Sequence, residues 1–243
     1  MSMFELAVLE SSRLRLPPRI AFSPDGQLLA IASGWLHGGV PVLNLGAGEH
    51  THKLSETGEI FASVAWHPNG QYLGAVDTDD VLTVWSLESG ERVLHSGLDR
   101  SLERQLPIPG KQYINSVSRV AFTPEGSGVV ASGYRSLSLH EFPTGRKVWS
   151  AYPTEADRLN ESLDDYTVGG LAFNPTGSIL ATTSESILHK NGTFNLWETA
   201  SGRKIVNPMI FDEMLESVAW SADGRYLVVV DVDGNIRVWA VNL

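Results

Sequence analysis

The chain has 243 residues, 42% of them hydrophobic, and a formal net charge of −10 from 18 Lys and Arg against 28 Asp and Glu. That acidic balance argues against non-specific binding to nucleic acid or to anionic membranes, both of which need a basic face. There are no cysteines, which excludes a disulfide framework, a Cys-type zinc site and a thiol nucleophile.

The N-terminal stretch MSMFELAVLESSRLRL carries Glu5 and Glu10 among its apolar residues and lacks a basic lead, so it does not read as a signal peptide. No run approaches the ~20 apolar residues of a membrane span. A cytoplasmic, self-contained monomer is the expectation. Within the stretch, residues 4–9 (FELAVL) read as a short strand.

One motif then recurs five times, at residues 20–33 (IAFSPDGQLLAIAS), 64–77 (VAWHPNGQYLGAVD), 120–133 (VAFTPEGSGVVASG), 171–184 (LAFNPTGSILATTS) and 218–231 (VAWSADGRYLVVVD). Its glycines, Gly26, Gly70, Gly126, Gly177 and Gly224, are spaced by 44, 56, 51 and 47 residues. A period in this range signals a repeat architecture. Each copy reads as a tight hairpin. Pro presets φ at the turn, and Gly takes φ > 0 where the second strand resumes. Those second strands are nearly continuous apolar runs, Leu28 to Ala32 and Tyr226 to Val230 among them. Half-buried strands alternate, so both faces of each hairpin are expected to be covered.

A third strand follows each hairpin, at residues 40–45, 82–87, 137–142, 194–198 and 236–241. Gly turns at Gly48, Gly90, Gly145 and Gly202 lead to fourth strands at 50–54, 91–95, 146–150 and 203–206. Each unit is thus a four-stranded antiparallel meander, a-b-c-d. The last unit lacks its fourth strand. Strand 4–9 is expected to fill that slot and close the ring, removing exposed edges.

With these residues in place the chain resembles the WD-repeat β-propeller family. The hairpin motif carries the resemblance in all five copies, and the third-strand Trp in three: Trp85, Trp197 and Trp239. The family's turn Asp matches Asp79 and Asp233, with Asn191 in the fourth unit. Leu43 and His140 replace the Trp elsewhere, Ser86, Glu198 and Ala240 stand where the family has a following Asp, and the Gly-His pair is absent. The resemblance implies an all-β fold, with residues 1–243 forming a single propeller of five four-stranded blades. It also implies a non-catalytic platform for protein–protein interaction. Family members have seven blades more often, so a partial propeller completing a larger ring with another chain is an alternative. Another is a sugar-binding protein or glycosidase, since five-bladed propellers elsewhere include both. A glycosidase needs two carboxylates ~5–9.5 Å apart in the central mouth. The strand-a starts that line this mouth read as mostly apolar, Ser or Asn.

Extra length accumulates in d–a connections at 97–115 and 151–167 and in b–c connections at 34–39 and 185–192. In a meander both kinds emerge on one face, and insertions in repeat proteins often mark the binding face. The candidate protein-binding residues there are Trp35, His37, Arg104, Tyr113, Tyr134, Arg135, Asp157, Asp164, Asp165, Tyr166 and His189. Aromatic side chains serve as anchors, and the acidic run 155–166 complements a basic peptide or protein.

Other polar groups have plainer readings. Asp77, Asp79 and Asp80, like Asp231, Asp233 and Asn235, fit turn roles. His50 and His52 fall on an outer strand, where two ligands do not make a zinc site. His140 takes a core Trp position and is expected to be packed. No nucleophile elbow, phosphate-binding Gly loop or His-Glu-x-x-His motif is present. No catalytic residue, cofactor or metal is expected.

Overall fold

The computed structural model describes residues 19–32, 39–54, 59–98, 118–133, 136–152, 166–186, 190–206 and 209–241. These form five antiparallel sheets in chain order. The first holds β1 (Arg19–Phe22), β2 (Leu28–Ala32), β3 (Val40–Asn44) and β4 (Glu49–Leu54). The second holds β5 (Phe61–Trp66), β6 (Tyr72–Asp77), β7 (Val81–Ser86) and β8 (Arg92–Gly97). The third holds β9 (Arg119–Phe122), β10 (Gly128–Gly133), β11 (Ser136–Glu141) and β12 (Lys147–Ala151). The fourth holds β13 (Tyr166–Phe173), β14 (Ile179–Ser186), β15 (Asn191–Glu198), β16 (Arg203–Lys204) and β17 (Met209–Phe211). The fifth holds β18 (Leu215–Trp220), β19 (Tyr226–Asp231) and β20 (Ile236–Ala240). Every sheet is the expected meander. In the fourth, the outer strand comes in two pieces, since β16 and β17 both pair with β15.

The recurring motif has a local physical cause. The five motif glycines sit at φ between 70° and 79°, a region open to Gly without steric cost. The small polar residue after the aromatic staples the hairpin. Ser23 Oγ, Thr123 Oγ1, Asn174 Oδ1 and Ser221 Oγ each accept the backbone N–H five residues on, at 2.8–3.0 Å. This pins the register in which Ala21 faces Ala30, Ala121 faces Val130, Ala172 faces Ala181 and Ala219 faces Val228.

The core is divided into slabs between successive sheets. Ala30, Ala32, Val40 and Val42 pack under Phe61, Val64, Trp66 and Trp85 of the second sheet. Val76, Leu82 and Val84 pack under Val120, Phe122 and Val129 of the third. Val130, Leu137 and Leu139 meet Leu180 and Trp197 of the fourth. Ala181 and Phe194 meet Leu215, Val218, Leu227 and Val229 of the fifth. Burying each large side chain contributes about 1.5–3 kcal/mol. Strands β1, β5, β9, β13 and β18 pack against one another in sequence, so the a strands lie innermost and the d strands outermost.

Three expectations change. The hairpins do not have both faces fully covered at the two ends of the array, although β2 itself is half-buried to buried throughout. Ile20 and Phe22 are 59% and 60% exposed, and Ile236 and Val238 are 66% and 59% exposed. Each has an inward counterpart in the middle sheets, but an end sheet has a neighbour on one side only. Second, the ring is not closed among the described residues. No packing comparable to that between successive sheets joins the fifth sheet to the first, and β20 has β19 as its sole partner there. The expected closing strand, residues 4–9, lies outside the described residues. Third, strands β14 and β15 each run two residues into the expected 185–192 connection. The pairing of β14 with β15 runs out to Ser186 opposite Asn191.

Candidate functional site

Strand direction fixes which end carries the long connections. The b strands end, the c strands start, the d strands end and the a strands start at one end of every sheet, and the short a–b and c–d turns occupy the other. Of the expected binding residues, Trp35, His37, Arg104, Tyr113, Tyr134, Arg135, Asp157, Asp164, Asp165 and His189 lie outside the described residues. Tyr166 is the first residue of β13, opposite Ser186, and its side chain is also outside.

The described residues at this end hold a charged mouth that the sequence reading missed. Three of the five a strands start at Phe61, Tyr166 and Leu215, but this end also carries Arg19 at the start of β1, Arg119 at the start of β9, Glu216 in β18 and Glu185 near the end of β14. Burial lowers the Arg119 guanidinium to about 10, and the positive charge of Arg19 adds to the shift. Glu185 and Glu216 pull the other way. Burial also raises the Glu185 carboxyl, against the influence of Arg119 and with that of Glu216. Among the described residues, the guanidinium of Arg119 has one hydrogen bond, from Nη1 to the Ser118 carbonyl at 3.3 Å. A largely buried guanidinium with one long bond retains donor capacity for a carboxylate or carbonyl from outside. The signal in the sequence was the residue just before the motif's first apolar position, but only the strand register shows that it faces the centre.

Neighbouring polar groups fix the sheets at this rim. Ser118 Oγ donates to Asp80 Oδ1 at 3.0 Å across the second and third sheets. Asp80 has φ 57°, and a Cβ at Gly133 would lie 2.6 Å from its carboxyl, so only Gly leaves it room. Val120 N donates to Ser63 Oγ at 3.3 Å. Asp77 accepts the backbone N–H of Asp79 and Val81 at 2.9 and 2.8 Å, the turn role expected for it. Asp231 does the same for Asp233 and Asn235. His140 is packed as expected. It is buried, its Nε2 lies 3.0 Å from Ser138 Oγ and its Nδ1 3.3 Å from the Gly145 carbonyl, and burial lowers its pKa. His50 and His52 sit on the outer strand β4.

The opposite end offers a cleft of about 690 Å³ between the third and fourth sheets, lined by Thr123, Glu125, His140, Thr176 and Thr199 among others. Its charges are already matched. Glu141 pairs with Arg146 at 3.1 Å, Glu198 with Arg203 at 3.8 Å, and Glu125 accepts from Ser127 at 2.9 Å. Among the described residues no group of three or more His, Asp or Glu side chains could hold a metal ion.

Comparison with known proteins rests on this geometry. The family model described as WD domain, G-beta repeat matches residues 48–86 and 212–240. The first span runs from the end of the first sheet through β7 with Trp85, and the second runs through β20 with Trp239. Over these two spans the chain is similar to WD-repeat proteins. It is 29% identical over 126 residues to the Periodic tryptophan protein 2 homolog of Schizosaccharomyces pombe, covering 51% of the chain and 13% of that relative. It is 25% identical to the human Lethal(2) giant larvae protein homolog 1 across 93% of the chain and 22% of the relative. It is 20% identical to the SIR4-interacting protein SIF2 of Saccharomyces cerevisiae across 91% of the chain and 38% of the relative. The chain therefore spans well under half the length of these relatives. Among solved structures it matches Kuenenia stuttgartiensis hydrazine synthase with a TM-score of 0.71 at 17% identity, over 95% of the chain and 59% of that protein. At that identity the likeness shows the fold alone, a propeller-type arrangement of antiparallel sheets. WD-repeat proteins generally act as non-catalytic scaffolds for protein–protein interaction.

Proposed function

We propose that this chain is a non-catalytic interaction platform that binds a protein or peptide across the end bearing the long connections. The observation that supports this reading is the mouth itself. A half-buried Arg119, with one guanidinium hydrogen bond among the described residues, stands among Arg19, Glu185 and Glu216, at the end that bears the long d–a connections. Mixed charges at partial burial give orientation and partner selectivity more than raw affinity. The anchors on this reading are the aromatic residues of those connections, Trp35, Tyr113, Tyr134 and Tyr166. The acidic residues Asp157, Asp164 and Asp165 favour a basic partner. One relative is named for its interaction with another protein, which agrees with this class of function.

The test is capture of partners on the immobilised chain, followed by binding kinetics on the captured peptide. Arg119→Met should weaken binding by about tenfold or more if the mouth is engaged, since a desolvated Arg contact is worth over 1 kcal/mol. Asp164→Asn with Asp165→Asn should slow association and flatten its salt dependence. Unchanged binding in these variants, with loss on Thr176→Arg in the opposite cleft, would assign the site to the short-turn end.

A further inference from the structure

The cleft between the third and fourth sheets lies where one interface lacks the rings that fill its neighbour. Between the second and third sheets, His67, Tyr72, Phe122 and Phe142 form a cluster with contacting ring centroids 4.9–5.6 Å apart. At the same four positions of the next interface the repeat places Thr123, Gly128, Phe173 and Thr199. The backbone confirms the equivalence. The Phe142 N–H donates to the Ser127 carbonyl and the Thr199 N–H to the Ser178 carbonyl, each acceptor directly following a motif glycine. Three rings thus give way to two threonines and a glycine, and Thr123, Gly128 and Thr199 all line the cleft of about 690 Å³. The other interfaces keep apolar side chains at the positions of Gly128 and Thr199. Leu28 and Leu87 pack between the first and second sheets, and Tyr72 and Phe142 between the second and third. Between the fourth and fifth, Ile179 is buried and Val241 packs into the slab. Thr199 works against folding in two ways. It forgoes apolar burial, and its hydroxyl is buried with no hydrogen-bond partner among the described residues. A local departure of this kind from an otherwise consistent pattern is expected at functional sites.

We propose that this cleft is a second binding site, which takes an aromatic side chain of a partner peptide with a basic residue beside it. The ring follows from what the preceding interface holds in the same place. Leu139 and Ile179 line the cleft, together with Val148 and Ile205, which are 41% and 43% exposed. A ring entering from solvent therefore meets apolar surface, and its own burial drives the contact. The basic neighbour follows from charge. Glu125, Glu141 and Glu198 are all in the lining. Arg146 pairs with Glu141 and Arg203 with Glu198. Glu125 is met by a hydroxyl, Ser127 Oγ at 2.9 Å, and by no cation among the described residues. Its charge is left to orient a cationic residue next to the ring. The cleft lies at the short-turn end, so this site stands apart from the mouth and does not depend on binding there.

The experiment is titration of the isotope-labelled 243-residue chain with acetyl-Phe-Arg-amide, read by amide NMR shifts. Saturable shifts should centre on Gly128, Gly177 and Ala200, which line the cleft. Acetyl-Ala-Arg-amide should bind about tenfold more weakly, or worse, for want of the buried ring. Acetyl-Phe-Glu-amide should also bind more weakly, through repulsion by Glu125. Thr199→Phe restores the residue that the preceding interface carries. It should melt at or above the wild-type temperature and lose the probe. Thr176→Arg changes an exposed residue of the lining, so it should keep the fold and weaken the Arg probe by like charge. Shifts that do not saturate, or that centre on Arg119 and Glu216, overturn the proposal. So does equal binding of the Phe and Ala probes, or a folded Thr199→Phe that binds as the wild type does. Unchanged affinity in Thr176→Arg overturns it as well, and decides the matter should Thr199→Phe unfold.

Discussion

Asp77 and Asp231 occupy the same position of two repeats, the end of strand b, and their carboxyls shift in opposite directions. Burial pushes Asp77 up to about 6, outweighing the two backbone N–H groups that favour its charged form. Burial acts the same way on Asp231, but hydrogen bonds from Asn235 and Arg237 prevail and hold its carboxyl below the usual range. Arg237 Nη1 lies 2.6 Å from Asp231 Oδ2. The equivalent position in the second sheet is Thr83, which faces Ala75 as Arg237 faces Val229. Because the Asp77 pKa is raised in the folded state, its ionisation works against folding as pH rises through about 6. Asp77→Asn keeps the accepting oxygen and removes the charge. It should be more stable than wild type at pH 7, with the advantage shrinking as pH falls through about 6 and absent below the unfolded carboxyl value of ~4. Asp231 has the opposite sign. Its contribution is complete above the unfolded value and is lost as pH falls through the lowered folded one. Asp231→Asn should therefore be less stable than wild type at pH 7, and the deficit should vanish in acid. Urea unfolding midpoints from pH 3 to 7 measure both; an Asp77→Asn variant weaker than wild type at pH 7 would contradict the burial argument.

The strands were legible because turn chemistry and period were repeated five times over. Observed β7, β11 and β20 begin at Val81, Ser136 and Ile236, within a residue of the positions read from the pattern. The piece β17 was not legible, since β16 ends at Lys204 and Met209–Phe211 carries no turn signal of its own. The mouth was hidden for another reason. Arg119 and Glu216 lie one residue or two before the motif, outside the pattern that repeats. The motif aromatic shows the same limit. Trp66 Nε1 donates to the Ala21 carbonyl of the neighbouring sheet at 2.8 Å. Trp220 occupies the same motif position, yet its Nε1 is buried with no hydrogen-bond partner among the described residues. Sequence equates the two residues; packing distinguishes them. Trp66→Phe should lower stability by about 0.5–1.5 kcal/mol, the net worth of one hydrogen bond plus an orphaned carbonyl. Trp220→Phe removes an unsatisfied donor and should be neutral or stabilising in that respect. Denaturant midpoints at constant m-value compare the two. Equal losses would show that ring volume, not the indole N–H, sets the cost.

An array of sheets that each touch only their neighbours behaves as a one-dimensional system, with stability a sum of unit and interface terms. The second, third and fourth sheets are held by apolar slabs on both sides. Among the described residues the first and fifth have such a slab on one side only; on the other, Ile20, Phe22, Ile236 and Val238 are exposed while Ile31 and Leu43 are buried. A terminal unit can open by giving up one interface, whereas an internal unit must give up two. Local opening free energy should therefore fall from the middle of the array to its ends. Hydrogen exchange followed by mass spectrometry reads this directly. Amides of β6, β10 and β14 should be the best protected, and those of β1, β19 and β20 should exchange earlier at low protein concentration. A closed, fully cooperative ring would instead give one common protection level for the central strands of all five sheets. Protection of β1, β19 and β20 equal to that of β10 would contradict this ordering.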